Sequence, residues 1–372
     1  MKFLKTLSVF VGTIIGVGIF GLPYVASLSG FYVVIIYFLL MSVVAVTVHL
    51  LLGEVPVGTE GNYRLPGYVG EYLGDRWKNI SLLVLGLGVA GALLAYLIVG
   101  GEFLHFFFSP YFGGSNLIYT LLFFSAGTFL VFRGIKSIAK IELFLLVVFF
   151  VILAIFFTKA FPFIDYSNFQ KFNFKFITLP YGIVLFSLWG LALVPELNEM
   201  LGGQKKPLRK VIISGILLSA ITYLVFIFVV FGASGSNTSK EGISGLAGVL
   251  GDGVIRLGFL FGIITCFTSF ITLALTLKKI LWYDCNVPKN IAWFLACFSP
   301  LLLFFLKLGD FIDIISLTGA FAIGFEAIIV IFLYKEFLKR KFSAKMNPVI
   351  YLLVALFLFG LASEIFYFGL VK

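Results

Sequence analysis

The chain has 372 residues, 61% of them hydrophobic and only 12% charged, with a mean hydropathy of +1.13. These proportions exclude an ordinary soluble domain and define a polytopic membrane protein. The formal net charge is +10, but the basic residues are spread over short loops and form no soluble basic face, so no nucleic-acid partner is expected.

Taken in order, the apolar runs span residues 6–28, 31–53, 79–104, 116–132, 141–158, 178–194, 211–232, 254–277, 290–306, 311–334 and 348–369. Most reach the ~20 residues a bilayer crossing requires, which predicts eleven spans. Lys2 and Lys5 before the first run resemble the start of a signal peptide, but no small-residue cleavage site follows, so the run is read as a retained span. Pro300 is placed to kink the ninth span, and Pro180 and Pro195 bracket the sixth. The loop from Glu54 to Lys78 is expected to carry a short helix near Tyr68 to Tyr72, and Ile243 to Leu250 another short helix on the opposite side. Gly86, Gly88, Gly91, Gly100 and Gly101 suit the third span to close helix packing.

Basic residues alternate from loop to loop. With the N-terminus inside, twenty fall on the cytoplasmic side, among them Lys136, Lys140 and Arg209, and seven on the other, among them Lys159, Lys240 and Lys372. This bias predicts a cytoplasmic N-terminus and an external C-terminus. The basic tract before the last span is also placed to touch anionic lipid.

Within the first span lies Gly12-Thr13-Ile14-Ile15-Gly16-Val17-Gly18-Ile19-Phe20-Gly21-Leu22-Pro23. Four glycines and a proline there either let helices approach closely or break the helix at mid-depth, where exposed backbone is tolerated only beside protein or a cavity. Five spans later, Leu185-Phe186-Ser187-Leu188-Trp189-Gly190 interrupts the sixth span. Two interruptions in corresponding positions of two five-span halves point to an inverted-repeat transporter, with repeats at about 6–158 and 178–334 and an additional helix at 348–369, all in one domain over 1–372.

A broken helix exposes amides on one side and carbonyls on the other. Amides at Gly16, Val17 and Gly18 suit a carboxylate, and carbonyls around Phe186 to Trp189 suit an ammonium group, so a zwitterion fits the pair. Thr13, Ile15 and Gly190 flank the same breaks, and Tyr96 is a mid-span aromatic with a polar handle, suited to a pocket or to packing. In the eighth span, Thr265, Thr268, Ser269 and Thr272 share a face; with carbonyls of Gly12 and Ile15 they either form an oxygen site for a small cation or bond within their own helix.

Among the acids, Glu54, Glu102, Glu142 and Glu196 sit near expected span ends, and Glu364 near the outer end of the last span. Glu326 lies deeper and is the candidate for proton or ion coupling. His49 and His105 are expected to pack near helix ends. Cys266, Cys285 and Cys297 lack metal-ligand spacing, so no disulfide framework, metal cluster or resident cofactor is expected beyond a coupling Na+. The scattered acids and two histidines form no catalytic constellation, so no enzyme is expected.

The glycine-rich stretch, running on to Tyr24, resembles the first-helix signature of the amino acid/auxin permease group, including the aromatic amino acid permeases, in the amino acid–polyamine–organocation superfamily. The resemblance extends to Gly53-Glu54, Gly61-Asn62-Tyr63-Arg64-Leu65, Tyr72-Leu73-Gly74, Leu185 to Gly190, Val194-Pro195-Glu196 and Thr268-Ser269-Phe270. It implies an all-α, five-plus-five inverted-repeat fold like that of a bacterial leucine transporter, and cation-coupled amino acid uptake by alternating access across the cytoplasmic membrane. By similarity, Gly16 to Gly18 hold the substrate carboxylate, Ser187 to Gly190 line the pocket, and Gly12, Ile15, Thr268 and Ser269 hold a sodium ion. Proton-coupled relatives place a lysine in the fifth span; residues 141–157 have none, which favours Na+ over H+. Exchange and proton-coupled transport of the same substrates are the alternatives, with a channel or a non-transporting sensor more remote. The expected partners are a small-molecule amino acid and membrane lipid, and the chain is expected to act as a monomer.

Overall fold

The computed structural model describes residues 2–61, 63–134 and 138–371. Asn62, Lys136 and Lys372, and the side chains of Lys140 and Glu142, lie outside the described residues. In hydrocarbon a backbone must satisfy its own polar groups, and this sequence does so with helices: no strand occurs among the described residues. In chain order they are α1 (Lys2–Ile14), α2 (Gly18–Ser29), α3 (Phe31–Gly58), α4 (Leu65–Leu73), α5 (Asp75–Phe112), α6 (Asn116–Arg133), α7 (Ile138–Ala160) and α8 (Pro180–Ser187). There follow α9 (Val194–Met200), α10 (Lys205–Ser234), α11 (Asp252–Lys279), α12 (Lys289–Phe305), α13 (Phe311–Leu317), α14 (Gly324–Phe342) and α15 (Tyr351–Phe366).

Each expected apolar run coincides with helix. Among the described residues nine helices are long and apolar enough to cross a membrane, and α1 with α2, bent by 47°, makes ten. The remaining run is α12, whose 17 residues reach about 25 Å at ~1.5 Å per residue, a little short of the ~30 Å hydrocarbon core. Several helices continue past their apolar stretch: α3 to Gly58, α5 from Asp75 to Phe112 and α14 to Phe342. Hydropathy registers only the part matched to lipid, whereas the helix continues as long as its backbone ladder does.

The two interrupted spans stand at the centre. α1 packs on α7 and α10, α2 on α8 and α10, and α8 on α3, α13 and the wide π turn Thr318–Ile323. The long α5 lies along α11, flanked by α6 and α12. Close approach is allowed by small residues: a Cβ on Gly319 would fall on the Gly182 carbonyl, so α8 and the π turn meet backbone to backbone. Leu39, Leu40, Val43, Leu83, Leu87, Phe129, Phe144 and Val147 are exposed, as lipid-facing residues are.

The short helix expected near Tyr68 is α4. Between Ile243 and Leu250 only the 3-10 turn Ser244–Leu246 forms, because Gly242, Gly245, Gly248 and Gly251 interrupt any longer helix. His49 differs more: α3 runs a further nine residues beyond it, and the ring is fully buried against the sixth span instead of lying near a helix end. Glu364 is likewise 1% exposed.

Candidate functional site

The first span breaks at Ile15 to Val17. The Ile15 amide still reaches the Val11 carbonyl at 2.7 Å, and the Gly16 amide turns to the Ile14 carbonyl at 2.7 Å. Tyr96 of α5 fills the gap, its hydroxyl lying against Gly16. A Cβ on Gly16 would lie on that hydroxyl and 2.8 Å from Cζ of the ring. Gly18 faces the second break instead, and a Cβ there would meet Ser187 Oγ and stand 3.0 Å from Ser187 Cβ. Both glycines are therefore required by close approach, and they bring the two breaks into contact.

In the sixth span α8 stops at Ser187, and the chain passes through Leu188 to Gly190 and one 3-10 turn, Leu191–Leu193, into α9. Ser187 Oγ donates to its own helix at the Ile183 carbonyl, 2.8 Å. The freed Gly190 amide donates to Nε2 of His49 at 3.1 Å, while Nδ1 of the same ring lies 2.7 Å from the Ala45 carbonyl. That pair of contacts requires the neutral tautomer with its proton on Nδ1.

Tyr223 of α10, not singled out from the sequence, joins the breaks. Its hydroxyl lies 2.5 Å from the Ile14 carbonyl and 2.8 Å from the Ser187 carbonyl. One proton is thus shared between the last carbonyls of α1 and α8, which a regular helix would have satisfied itself. A tyrosine in the middle of an apolar span was the available signal, the same one that drew attention to Tyr96.

Thr13, Gly18, Tyr96, Phe186, Trp189, Gly190 and Glu326 line one cavity. It runs from the breaks past Leu85 and Leu193, toward the side on which the N-terminus lies. On the other side Phe20, Phe103, Phe226, Phe259 and Phe261 seal it; the Phe20 ring stands 4.8 Å from Phe103 and 5.6 Å from Phe261. Among the described acids, Glu326 alone lines this cavity. Its Oε2 accepts from Trp189 Nε1 at 2.8 Å, and its Oε1 is buried without a hydrogen-bond partner among the described residues.

Gly12, Ile15, Thr265 and Thr268 line a second, smaller cavity together with Leu145, Leu146 and Phe149 of α7. Ile15 belongs here and does not line the larger cavity. The hydroxyl face divides: Thr268 bonds back to the Ile264 and Thr265 carbonyls at 3.0 and 3.2 Å, whereas Ser269 crosses to the Gly12 carbonyl at 3.2 Å. Backbone carbonyls and neutral hydroxyls are the oxygen donors a hard monovalent cation takes.

Arg64 forms a cluster with acids of α9. Its guanidinium contacts Glu199 at 2.5 Å and Glu196 at 3.6 Å, both on α9, and its backbone amide donates to Asp284 at 3.2 Å. Lys279 adds a second cation to Glu196 at 3.1 Å. The guanidinium is 5% exposed and sits above its ordinary pKa: burial opposes the charge, and the contacts with Glu199 and Glu196 outweigh it.

Two discontinuous helices meeting at their breaks within a helical bundle, beside one cavity, define a class: the multi-pass membrane transporters built on broken spans. The model of the tryptophan/tyrosine permease family matches residues 1–365, and the chain belongs to that family. A tyrosine-specific transport system of Haemophilus influenzae is 29% identical over 237 residues, which cover 62% of this chain and 57% of that relative. The fold is the leucine-transporter type. MhsT in complex with L-phenylalanine superposes with a TM-score of 0.69 at 15% identity, covering 97% of each chain. Mhp1, a nucleobase-cation-symport-1 family transporter, gives 0.69 at 13% identity over 98% of this chain and 91% of its own. A manganese transporter of Eremococcus coleocola gives 0.73 at 11% identity over 100% of this chain and 88% of its own.

Proposed function

We propose that the protein is a secondary active transporter that carries an aromatic amino acid across the cytoplasmic membrane by alternating access, coupled to a cation. The observation that carries this reading is the meeting of the two breaks at Gly18 and Ser187 beside a cavity lined by Tyr96, Trp189 and Glu326. The amides of Val17 and Gly18 suit the substrate carboxylate, and the carbonyls of Ile14 and Ser187, shared by Tyr223, suit its ammonium group. The tyrosine specificity named for the Haemophilus influenzae relative supports the choice of an aromatic substrate.

The repeats are proposed at about 6–158 and 178–334, with 348–369 as the additional helix, in a single domain that acts as a monomer. The finer assignment to the amino acid/auxin permease group rests on the motif resemblance, and the orientation, N-terminus inside and C-terminus outside, on the bias of basic residues. For coupling, the oxygen-lined cavity at Gly12, Ile15, Thr265 and Thr268, with Ser269 beside it, supports Na+. The unpaired Glu326 carboxyl oxygen supports H+ as the alternative.

Counterflow in proteoliposomes tests the reading, with a panel of labelled amino acids and with sodium and proton gradients imposed separately. The expected result is flux of an aromatic amino acid that a sodium gradient stimulates and Ser269→Ala uncouples. No amino acid flux under either gradient overturns the transporter reading, and sodium dependence unchanged in Ser269→Ala overturns the cation assignment.

A further inference from the structure

Apolar side chains of Leu85, Val89, Ala92, Phe186, Leu273 and Ile323 wall the cavity beyond the two breaks. Into this apolar slot Glu326 brings a carboxyl group that is only 5% exposed. Trp189 takes up Oε2 through its indole N–H at 2.8 Å and so fixes the rotation of the carboxyl group. Oε1 is then left as a buried acceptor with no partner among the described residues. Leaving such an atom unpaired in an apolar setting is unfavourable, and more so if it is charged, so the site favours an occupant that supplies a donor.

We propose that Glu326 is the specificity-determining residue of the substrate cavity: its Oε1 accepts a hydrogen bond from the donor at the tip of an aromatic side chain, the phenol O–H of tyrosine or the indole N–H of tryptophan. This rests on the transporter reading above and adds which aromatic amino acids the site selects. The breaks take the amino acid's charged ends, the apolar wall takes its ring, and Oε1, oriented by the bond from Trp189 to Oε2, reads the ring's donor. Phenylalanine fits the wall but leaves Oε1 unpaired. A cationic side chain would place an ammonium or guanidinium group, which needs several acceptors, where a single oxygen is open among hydrocarbon.

The test is equilibrium binding of labelled tyrosine, tryptophan, phenylalanine, lysine and arginine to the purified full chain, without any ion gradient, for the wild type, Glu326→Leu and Glu326→Gln. In the wild type, tyrosine and tryptophan are expected to bind at least about tenfold tighter than phenylalanine, the factor that one hydrogen bond to a buried carboxyl group supplies. Glu326→Leu is expected to bring those ratios down toward one. Glu326→Gln is expected to separate the two substrates. If the glutamine carbonyl serves Trp189, the amide turned to the cavity is a donor only; a phenol oxygen can accept from it, whereas an indole N–H cannot, so tryptophan loses more affinity than tyrosine.

Equal wild-type affinity for phenylalanine overturns the proposal. So do ratios unchanged in both variants, even where proton-driven accumulation is lost, a result that would assign Glu326 to coupling alone. Tightest binding of lysine or arginine overturns it in favour of a cationic substrate. If the wild type binds no amino acid, the transporter reading fails and this inference fails with it; binding whose ratios ignore Glu326 overturns this inference alone.

Discussion

Tyr223 shows how a single hydroxyl can hold two interrupted helices together. It stands between the terminal carbonyls of α1 and α8, and its ring is fully buried. Tyr223→Phe keeps the ring and removes the proton, leaving both carbonyls without their shared donor at a cost of about 1–3 kcal/mol. The expected outcome is a lower thermal unfolding midpoint in detergent and weaker amino acid binding; a variant as stable as the wild type would mean that the carbonyls find other donors. At this scale the sequence was legible where a residue interrupts the apolar pattern of its span. Glycines at 16 and 18, a serine at 187 and an acid at 326 stand out against leucine and phenylalanine. Tyr223 and His49 were less legible, because their roles depend on which helix faces which break, and residue spacing within one span does not contain that relation.

Among the elements, α9 is the piece most exposed to change. It has seven residues, it is separated from α8 by the break, and Arg64 and Lys279 hold it through Glu196 and Glu199. The Arg64 guanidinium is buried while Glu199 is 37% exposed, so the pair keeps more strength than a surface bridge but less than a fully buried one. Arg64→Ala is expected to free α9 and raise the rate at which a cysteine placed at Ala192 is labelled from the N-terminal side. An unchanged rate would mean that packing alone holds α9. Helical spans were the most legible elements, because lipid leaves the backbone few alternatives. The π turn at Thr318–Ile323 and the continuation of α5 to Phe112 were hidden: the first is a local change of hydrogen-bond register, and the second carries a helix past the apolar run.

Over the whole molecule, the two breaks, the cavity and the phenylalanine seal make one asymmetric arrangement. The cavity runs toward the side of the N-terminus, and five buried rings close the opposite side. In an alternating-access cycle the same breaks would face the other side once α1 and α9 close and the rings separate. The five-span offset between the breaks was legible as a pattern of glycine and proline. Their direct contact at Gly18 and Ser187 was not, since it arises from how α2 and α8 pack.

The central claim is that the paired breaks recognise both charged ends of a free amino acid. Competition binding on the purified chain tests it most directly, with the tightest-binding labelled amino acid displaced by its N-acetyl and carboxamide derivatives. Each derivative keeps the side chain and loses one charge. The expected result is displacement by the unlabelled amino acid and loss of competition by both derivatives of more than about tenfold, the share of one charge-assisted hydrogen bond. Derivatives that compete as well as the free amino acid would contradict the claim and return Gly16, Gly18 and Ser187 to helix packing.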